Sequence, residues 1–170
     1  SHDFGKDVIP YLQCNFPVYA YNFANNRVPG ANPEEHGYWR DVGTVDAYFE
    51  ANMDLRSVKP IFNLYNYQWP LRTTTHPFPP AKFVFNQTGR KGEAIDSIVS
   101  EGSIISGGKV MNSVLSPRVF IHSYSDLQEC IVFGGAHIGR HAKLRRVIVD
   151  RNVRIPENAV IGYNPEEDRK

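Results

Sequence analysis

The sequence predicts a mainly β protein whose second half is a solenoid of stacked triangular coils and whose first half is an irregular, aromatic segment. Three observations predict it. Stepping from Ile98 by six, six and five residues meets Ile98, Ile104, Val110, Leu115, Ile121, Leu127, Val132, Ile138, Leu144, Val149, Ile155 and Ile161, all aliphatic. The residues two places earlier run Asp96, Gly102, Gly108, Ser113, Val119, Ser125, Cys130, Ala136, Ala142, Val147, Val153 and Ala159, all small or valine after the first. Between the halves lie Pro70, Pro77, Pro79 and Pro80, the composition of a linker or crossing segment.

The double pattern has a physical cause. A triangular coil uses about six residues per side, and one aliphatic side chain per side points to the axis and stacks on its equivalent one coil later. The small residue two places before it fits beside a corner. The five-residue step recurs once per turn, which sets a period of 17. Such coils bury a continuous core only by stacking. A sandwich of short strands would turn roughly every 8–12 residues and would not hold one phase over this length.

Before the prolines the elements are read singly. Asp7–Leu12 reads as a helical turn or two, limited by Pro10. Val18–Phe23 reads as a strand of roughly alternating type. Residues 25–35 form a polar loop with Pro29-Gly30 and Pro33. Thr44 is a suitable N-cap for a helix from Val45 to Leu55, with Val45, Tyr48, Phe49 and Met53 on its buried face. The chain is thus expected to divide into residues 1–80 and residues 81–170.

Composition excludes several classes. With 41% hydrophobic and 22% charged residues the chain is globular. No apolar run reaches the roughly 18 residues that span a bilayer, so no membrane is expected. Nineteen Lys+Arg against eighteen Asp+Glu leave a net charge of +1, without a general nucleic-acid footprint. Cys14 and Cys130 do not make a disulfide framework, and neither has metal-ligand neighbours at zinc-site spacing. A cytoplasmic location is the expectation.

Some residues carry chemistry by type alone. Asp41, in Tyr38-Trp39-Arg40-Asp41-Val42-Gly43-Thr44, reads equally as a ligand of a divalent cation and as a carboxylate at the start of the following helix. Arg40 reads as a phosphate-side cation or as a surface ion pair. Between His137 and Arg154 six Lys/Arg face only Asp150. Such a guanidinium patch suits phosphorylated small molecules, or else is the solvated outside of a solenoid. His122, His137 and His141 fit the histidine base of a hexapeptide-repeat acyltransferase or plain surface residues.

The ladder resembles the left-handed parallel β-helix of the hexapeptide-repeat family; the handedness comes from that resemblance. Ser1-His2-Asp3-Phe4-Gly5-Lys6-Asp7-Val8-Ile9-Pro10 and Tyr38-Trp39-Arg40-Asp41-Val42-Gly43-Thr44 resemble bacterial glucose-1-phosphate adenylyltransferases. So do Trp69-Pro70-Leu71-Arg72-Thr73, Pro79-Pro80-Ala81-Lys82-Phe83-Val84 and Val147-Ile148-Val149-Asp150-Arg151. The resemblance implies a left-handed β-helix preceded by the C-terminal remnant of an α/β nucleotidyltransferase domain. It implies an enzyme that joins ATP and glucose 1-phosphate to ADP-glucose and pyrophosphate in glycogen biosynthesis. Asp3, Phe4 and Trp39 would then bind glucose 1-phosphate, Asp41 would bind Mg2+, and Arg151 would bind sugar-phosphate or nucleotide effectors. A homotetramer is implied. The family's Gly-rich loop, early catalytic aspartate and sugar-phosphate lysine have no counterpart here, so this chain by itself is expected to be inactive. The Trp-Arg-Asp-Val-Gly-Thr motif argues against an acyltransferase, and another sugar nucleotidyltransferase is excluded only by the family motifs.

Overall fold

The computed structural model describes residues 3–166 and 168–169. Ser1 and His2, the start of the first motif, lie outside the described residues.

Residues 82–161 wind into parallel coils with three faces. Face one carries strands Lys82–Val84, Ile104–Ser106, Phe120–Ile121, His137–Ile138 and Arg154–Ile155. Face two carries Glu93–Ile95, Lys109–Met111, Asp126–Gln128, Lys143–Arg145 and Val160–Ile161. Face three carries Ile98–Val99, Val114–Leu115, Ile131–Val132 and Ile148–Val149. An antiparallel hairpin of Asn86–Gln87 and Arg90–Lys91 interrupts the first coil, with the Arg90 guanidinium 3.3 Å above the Phe85 ring.

The core is the predicted ladder from Val110 onward. Val110, Leu115, Ile121, Leu127, Val132, Ile138, Leu144 and Val149 are buried. The first coil differs. Val99 pairs with Leu115 and Ile105 with Ile121, a separation of 16, so Val99 and Ile105 point inward there. Ile98 and Ile104, read as core, face outward. A strand alternates faces every residue, so one missing residue in a coil turns that stretch of ladder inside out.

Each corner turns through one residue at positive φ. Gly102, Arg118, Gly135 and Asn152 stack at the corner entering face one. Gly107, Tyr124, His141 and Asn158 stack at the corner leaving it, and Asp96, Asn112, Glu129 and Arg146 at the third. The buried serines satisfy the backbone beside these corners: Ser113 Oγ accepts from Cys130 N at 2.9 Å, and Ser125 Oγ donates to Gly139 O at 2.9 Å.

The first half holds two α-helices, α1 (Ile9–Asn15) and α2 (Val45–Leu55), the former entered through a π-helical turn Phe4–Val8. Thr44 caps α2 as expected, its Oγ1 accepting from Ala47 N at 3.1 Å. Phe49 is buried and Tyr48 half-buried, but Val45 is 72% exposed and does not join that face. Val18–Phe23 is not a strand; Val18–Asn22 is irregular and Phe23–Asn25 is a 3-10 turn. Its alternation is real, but no neighbouring strand offers a ladder, and a lone strand leaves its backbone unpaired.

α2 lies against face three. Tyr48 and Phe133 rings are 6.3 Å apart, Arg146 sits 5.2 Å from the Phe49 ring centre, and Arg56 Nη1 donates to Asn112 Oδ1 at 3.1 Å. Ile148, on the outside of this face, lines a pocket with Val45, Asp46 and Phe49 of α2. Face two instead presents Glu93, Lys109, Asp126 and Lys143 in register, alternating in sign.

Candidate functional site

Two places carry the predicted residues. The first is the stretch before α2. Trp39 is 75% exposed and Asp41 is exposed, while Arg40 between them turns onto α2 and pairs with Asp54, Nη1 to Oδ2 3.5 Å. Asp41 Oδ1 accepts from Gly43 N at 2.9 Å, so one carboxylate oxygen shapes the turn that starts the helix. The other oxygen makes no hydrogen bond among the described residues. Both readings of Asp41 are therefore compatible in one residue. Mg2+ takes hard oxygen ligands, commonly one or two carboxylates completed by phosphate oxygens and water. Asp41 fits as one such ligand. Among the described residues no group of three or more His, Cys, Asp or Glu could hold a metal ion.

Asp3 and Phe4 stand at the entrance to α1. Asp3 Oδ1 accepts from Lys6 N at 2.8 Å, and Asp3 N donates to Asp7 Oδ2 at 3.0 Å. This is a capping arrangement in which the Asp3 and Asp7 side chains and the Lys6 backbone N–H take part. Phe4 is 72% exposed, so neither Phe4 nor Trp39 is a core ring. Among the described residues no hydrogen bond or ring contact joins Asp3–Asn15 to the Trp39–Thr44 stretch.

The second place is the corner entering face one. Here the linker crosses the β-helix and encloses a cleft of about 330 Å3 lined by His76, Phe78, Arg118, Gly134, Gly135, Arg151 and their neighbours, with no acidic residue in the lining. Arg118 packs toward the Phe78 ring at 5.6 Å, and His76 lies 5.2 Å from the same ring. Gly135, at φ 74, leaves the cleft floor without a side chain; a Cβ there would collide with Asn152 Oδ1. Asp150 Oδ1 accepts from Arg151 N at 2.7 Å, fixing the turn that presents Arg151. Neither Arg118 nor Arg151 is in an ion pair among the described residues.

The predicted basic patch is not one patch. Residues 137–153 make one coil and Arg154 begins the next, so their charges point in different directions. Arg154 stacks beside His137 on face one, as the period required. Arg140 leans over Tyr124, Lys143 and Arg145 lie on face two, and Arg146 pairs with Glu129 at 3.4 Å under α2. Only Arg151 reaches the cleft. Its partners there, Arg118 and His76, escaped sequence reading. Arg118 shares the corner position of Gly135 and Asn152, one place after that of Arg151, and His76 sits in the proline linker.

His122 and His137 have ring centroids 6.4 Å apart on face one, and His141 lies at the corner that follows. His137 stacks on Phe120 at 5.7 Å with rings 5° from parallel, and His141 stacks on Tyr124 at 4.8 Å. Burial, then the neighbouring Arg154 and His122, hold the His137 imidazole below its usual pKa. Burial pushes the Cys130 thiol up to about 11, which keeps it protonated and inert. No helix among the described residues is long and apolar enough to cross a membrane.

Comparison with known proteins agrees with this layout. The family described as "Nucleotidyl transferase" matches residues 1–58, and "GlmU-like, C-terminal hexapeptide" matches residues 79–170. The glucose-1-phosphate adenylyltransferase of Anaeromyxobacter sp. (strain Fw109-5) is 55% identical over 172 residues, covering 100% of this chain and 42% of the relative. That of Deinococcus radiodurans is 53% identical over 171 residues (100% and 41%), and that of Koribacter versatilis 50% over 170 residues (100% and 40%). The chain spans about two-fifths of the length of the curated relatives it matches. The hexapeptide match covers more than half of the chain, which belongs to the GlmU-like hexapeptide family and is, over its whole length, a relative of the glucose-1-phosphate adenylyltransferases.

Proposed function

We propose that this chain is the part of a glucose-1-phosphate adenylyltransferase that supplies one side of the sugar-phosphate and metal site together with the effector-responsive β-helix. The reaction joins ATP and glucose 1-phosphate to ADP-glucose and pyrophosphate, and its product feeds glycogen synthesis in the cytoplasm. The observation that carries the reading is the outward presentation of Trp39 and Asp41 on a stretch whose alternate residue, Arg40, is tied down. In this role Asp41 offers its unbonded oxygen, Trp39 lays an aromatic surface beside the sugar, and Asp3 and Phe4 offer a carboxylate and a ring to the same substrate. A bound Mg2+ lowers the cost of the negative charge on the phosphates. The other substrate contacts come from residues outside this chain, so the chain alone is inactive.

The cleft of His76, Arg118 and Arg151 supports binding of a phosphorylated effector. It has guanidinium and imidazole donors, no carboxylate competitor and a glycine floor. For the isolated chain a regulatory and assembly module is the second reading, favoured because this cleft is formed wholly by its own residues. Exposed solenoid edges suit subunit contacts in a homotetramer.

In the complete enzyme, Asp41→Asn is expected to lower turnover about a hundredfold at ordinary Mg2+; unchanged turnover and Mg2+ dependence would remove its metal role. The isolated chain, titrated with fructose 1,6-bisphosphate and AMP, should give heat that Arg151→Ala abolishes. Equal titrations of parent and variant would remove the cleft from the effector site.

A further inference from the structure

Arg40 has a part in neither the sugar-phosphate contacts nor the cleft, yet it is the residue that connects the Trp39–Asp41 stretch to the rest of the protein. Its guanidinium crosses to Asp54, fourteen residues on and at the far end of α2, at 3.5 Å. Asp54 Oδ2 is buried and makes no hydrogen bond among the described residues, so Arg40 is its counter-charge there. The pair closes a loop from the stretch through the Thr44 cap and back along α2. α2 is itself seated, with Phe49 beneath Arg146 and Arg56 bonded to Asn112 of the β-helix. The two neighbours of Arg40 are exposed, Trp39 at 75%, and the Asp41 side chain is tied only to Gly43 N of its own turn.

We propose that Arg40 is a positioning residue: by pairing with Asp54 it fixes the direction in which Trp39 and Asp41 face, using the β-helix-mounted α2 as its base. The inference rests on the adenylyltransferase reading above. Arg40 is itself exposed and only its guanidinium reaches Asp54, so the pair tethers the stretch at its middle residue while Trp39 and Asp41 on either side face solvent. A misplacement of about 1 Å at a reacting group can cost about a hundredfold in rate, which makes such an anchor consequential without touching substrate.

The test uses the complete enzyme with Arg40→Gln, Arg40→Lys, Asp54→Asn and the swapped pair Arg40→Asp/Asp54→Arg. Arg40→Gln and Asp54→Asn should each raise both the half-saturating Mg2+ and the KM for glucose 1-phosphate about tenfold. Melting temperature should stay within a few degrees, as for a half-exposed ion pair. Arg40→Lys and the swapped pair should recover most of the loss. Unchanged Mg2+ and glucose 1-phosphate constants in both single variants would overturn the proposal. So would a loss that neither Arg40→Lys nor the swap repairs, or one that follows lowered melting alone. If Asp41→Asn leaves Mg2+ dependence unaltered while Arg40→Gln raises only the KM for glucose 1-phosphate, the metal reading fails and the positioning role stands for Trp39 alone.

Discussion

The two halves of this chain solve the burial problem differently. In the β-helix each coil makes a third of a core on each face and the next coil completes it, so Ile105, Leu115, Ile121, Leu127, Ile138 and Leu144 are fully buried without help from outside. Before residue 80, Phe49 is the one buried hydrophobic side chain among the described residues, and it is buried by the β-helix side through Arg146. Phe4, Tyr19, Tyr21, Val58, Tyr67 and Trp69 all stand in solvent. A repeat carries its own packing partner; a non-repeating segment of similar apolarity does not. Under the proposed function those exposed rings belong against the remainder of the enzyme.

The contrast breaks most sharply with one charge placed in each half. Ile138→Asp puts a carboxylate among completely buried aliphatics. That costs several kcal/mol, on the scale of the whole stability of a domain, so cooperative melting should vanish. Tyr19→Asp, at a side chain 88% exposed, should melt like the parent. If Ile138→Asp melts normally, the β-helix does not hold itself together by its inward ladder.

A smaller effect is expected where the halves meet. Phe49→Ala removes the ring from beneath Arg146 and should cost about 3 kcal/mol. The loss is local: hydrogen exchange should speed up along Val45–Leu55 while the coils from Val110 onward keep their protection. Uniform acceleration in both regions would mean that the two halves unfold as one unit.

The same contrast governs what could be read in advance. The ladder was legible because stacking imposes one aliphatic position per side, coil after coil. It failed at Ile98 and Ile104 because a coil can lose a residue at a corner, which leaves composition intact and reverses the faces. The helix at Val45–Leu55 was legible from its cap, since Thr44 acts locally. The strand at Val18–Phe23 was not, because pairing is a property of a neighbour. The basic cluster was visible as a cluster, but a sequence interval equal to one coil spreads its side chains over all three faces. His76 joins Arg118 and Arg151 only through the linker's path over a corner, and no local pattern specifies that path.

The two cysteines sharpen the comparison by reactivity. Cys14 is exposed on α1, and Cys130 is buried with its thiol pushed up to about 11. Thiolate is the reacting form, so a thiol reagent near neutral pH should modify Cys14 at least about a hundredfold faster than Cys130. Equal rates would show that the β-helix opens readily enough to expose its core.

The smallest expected effect concerns His137, a half-buried imidazole on face one. Its folded pKa lies below the ordinary 6.5, through burial first and then through Arg154 and His122. In the window between that depressed value and 6.5 the unfolded chain binds more protons at this site than the folded one, so stability rises with pH there. The contribution is complete above 6.5 and is lost as pH falls toward the folded value. Melting temperatures at about pH 7.5 and about pH 5.5 should therefore differ less in His137→Gln than in the parent. A larger pH difference in the variant would mean that the protonated ring is stabilised on this face, by its stack on Phe120, more than it is repelled by Arg154.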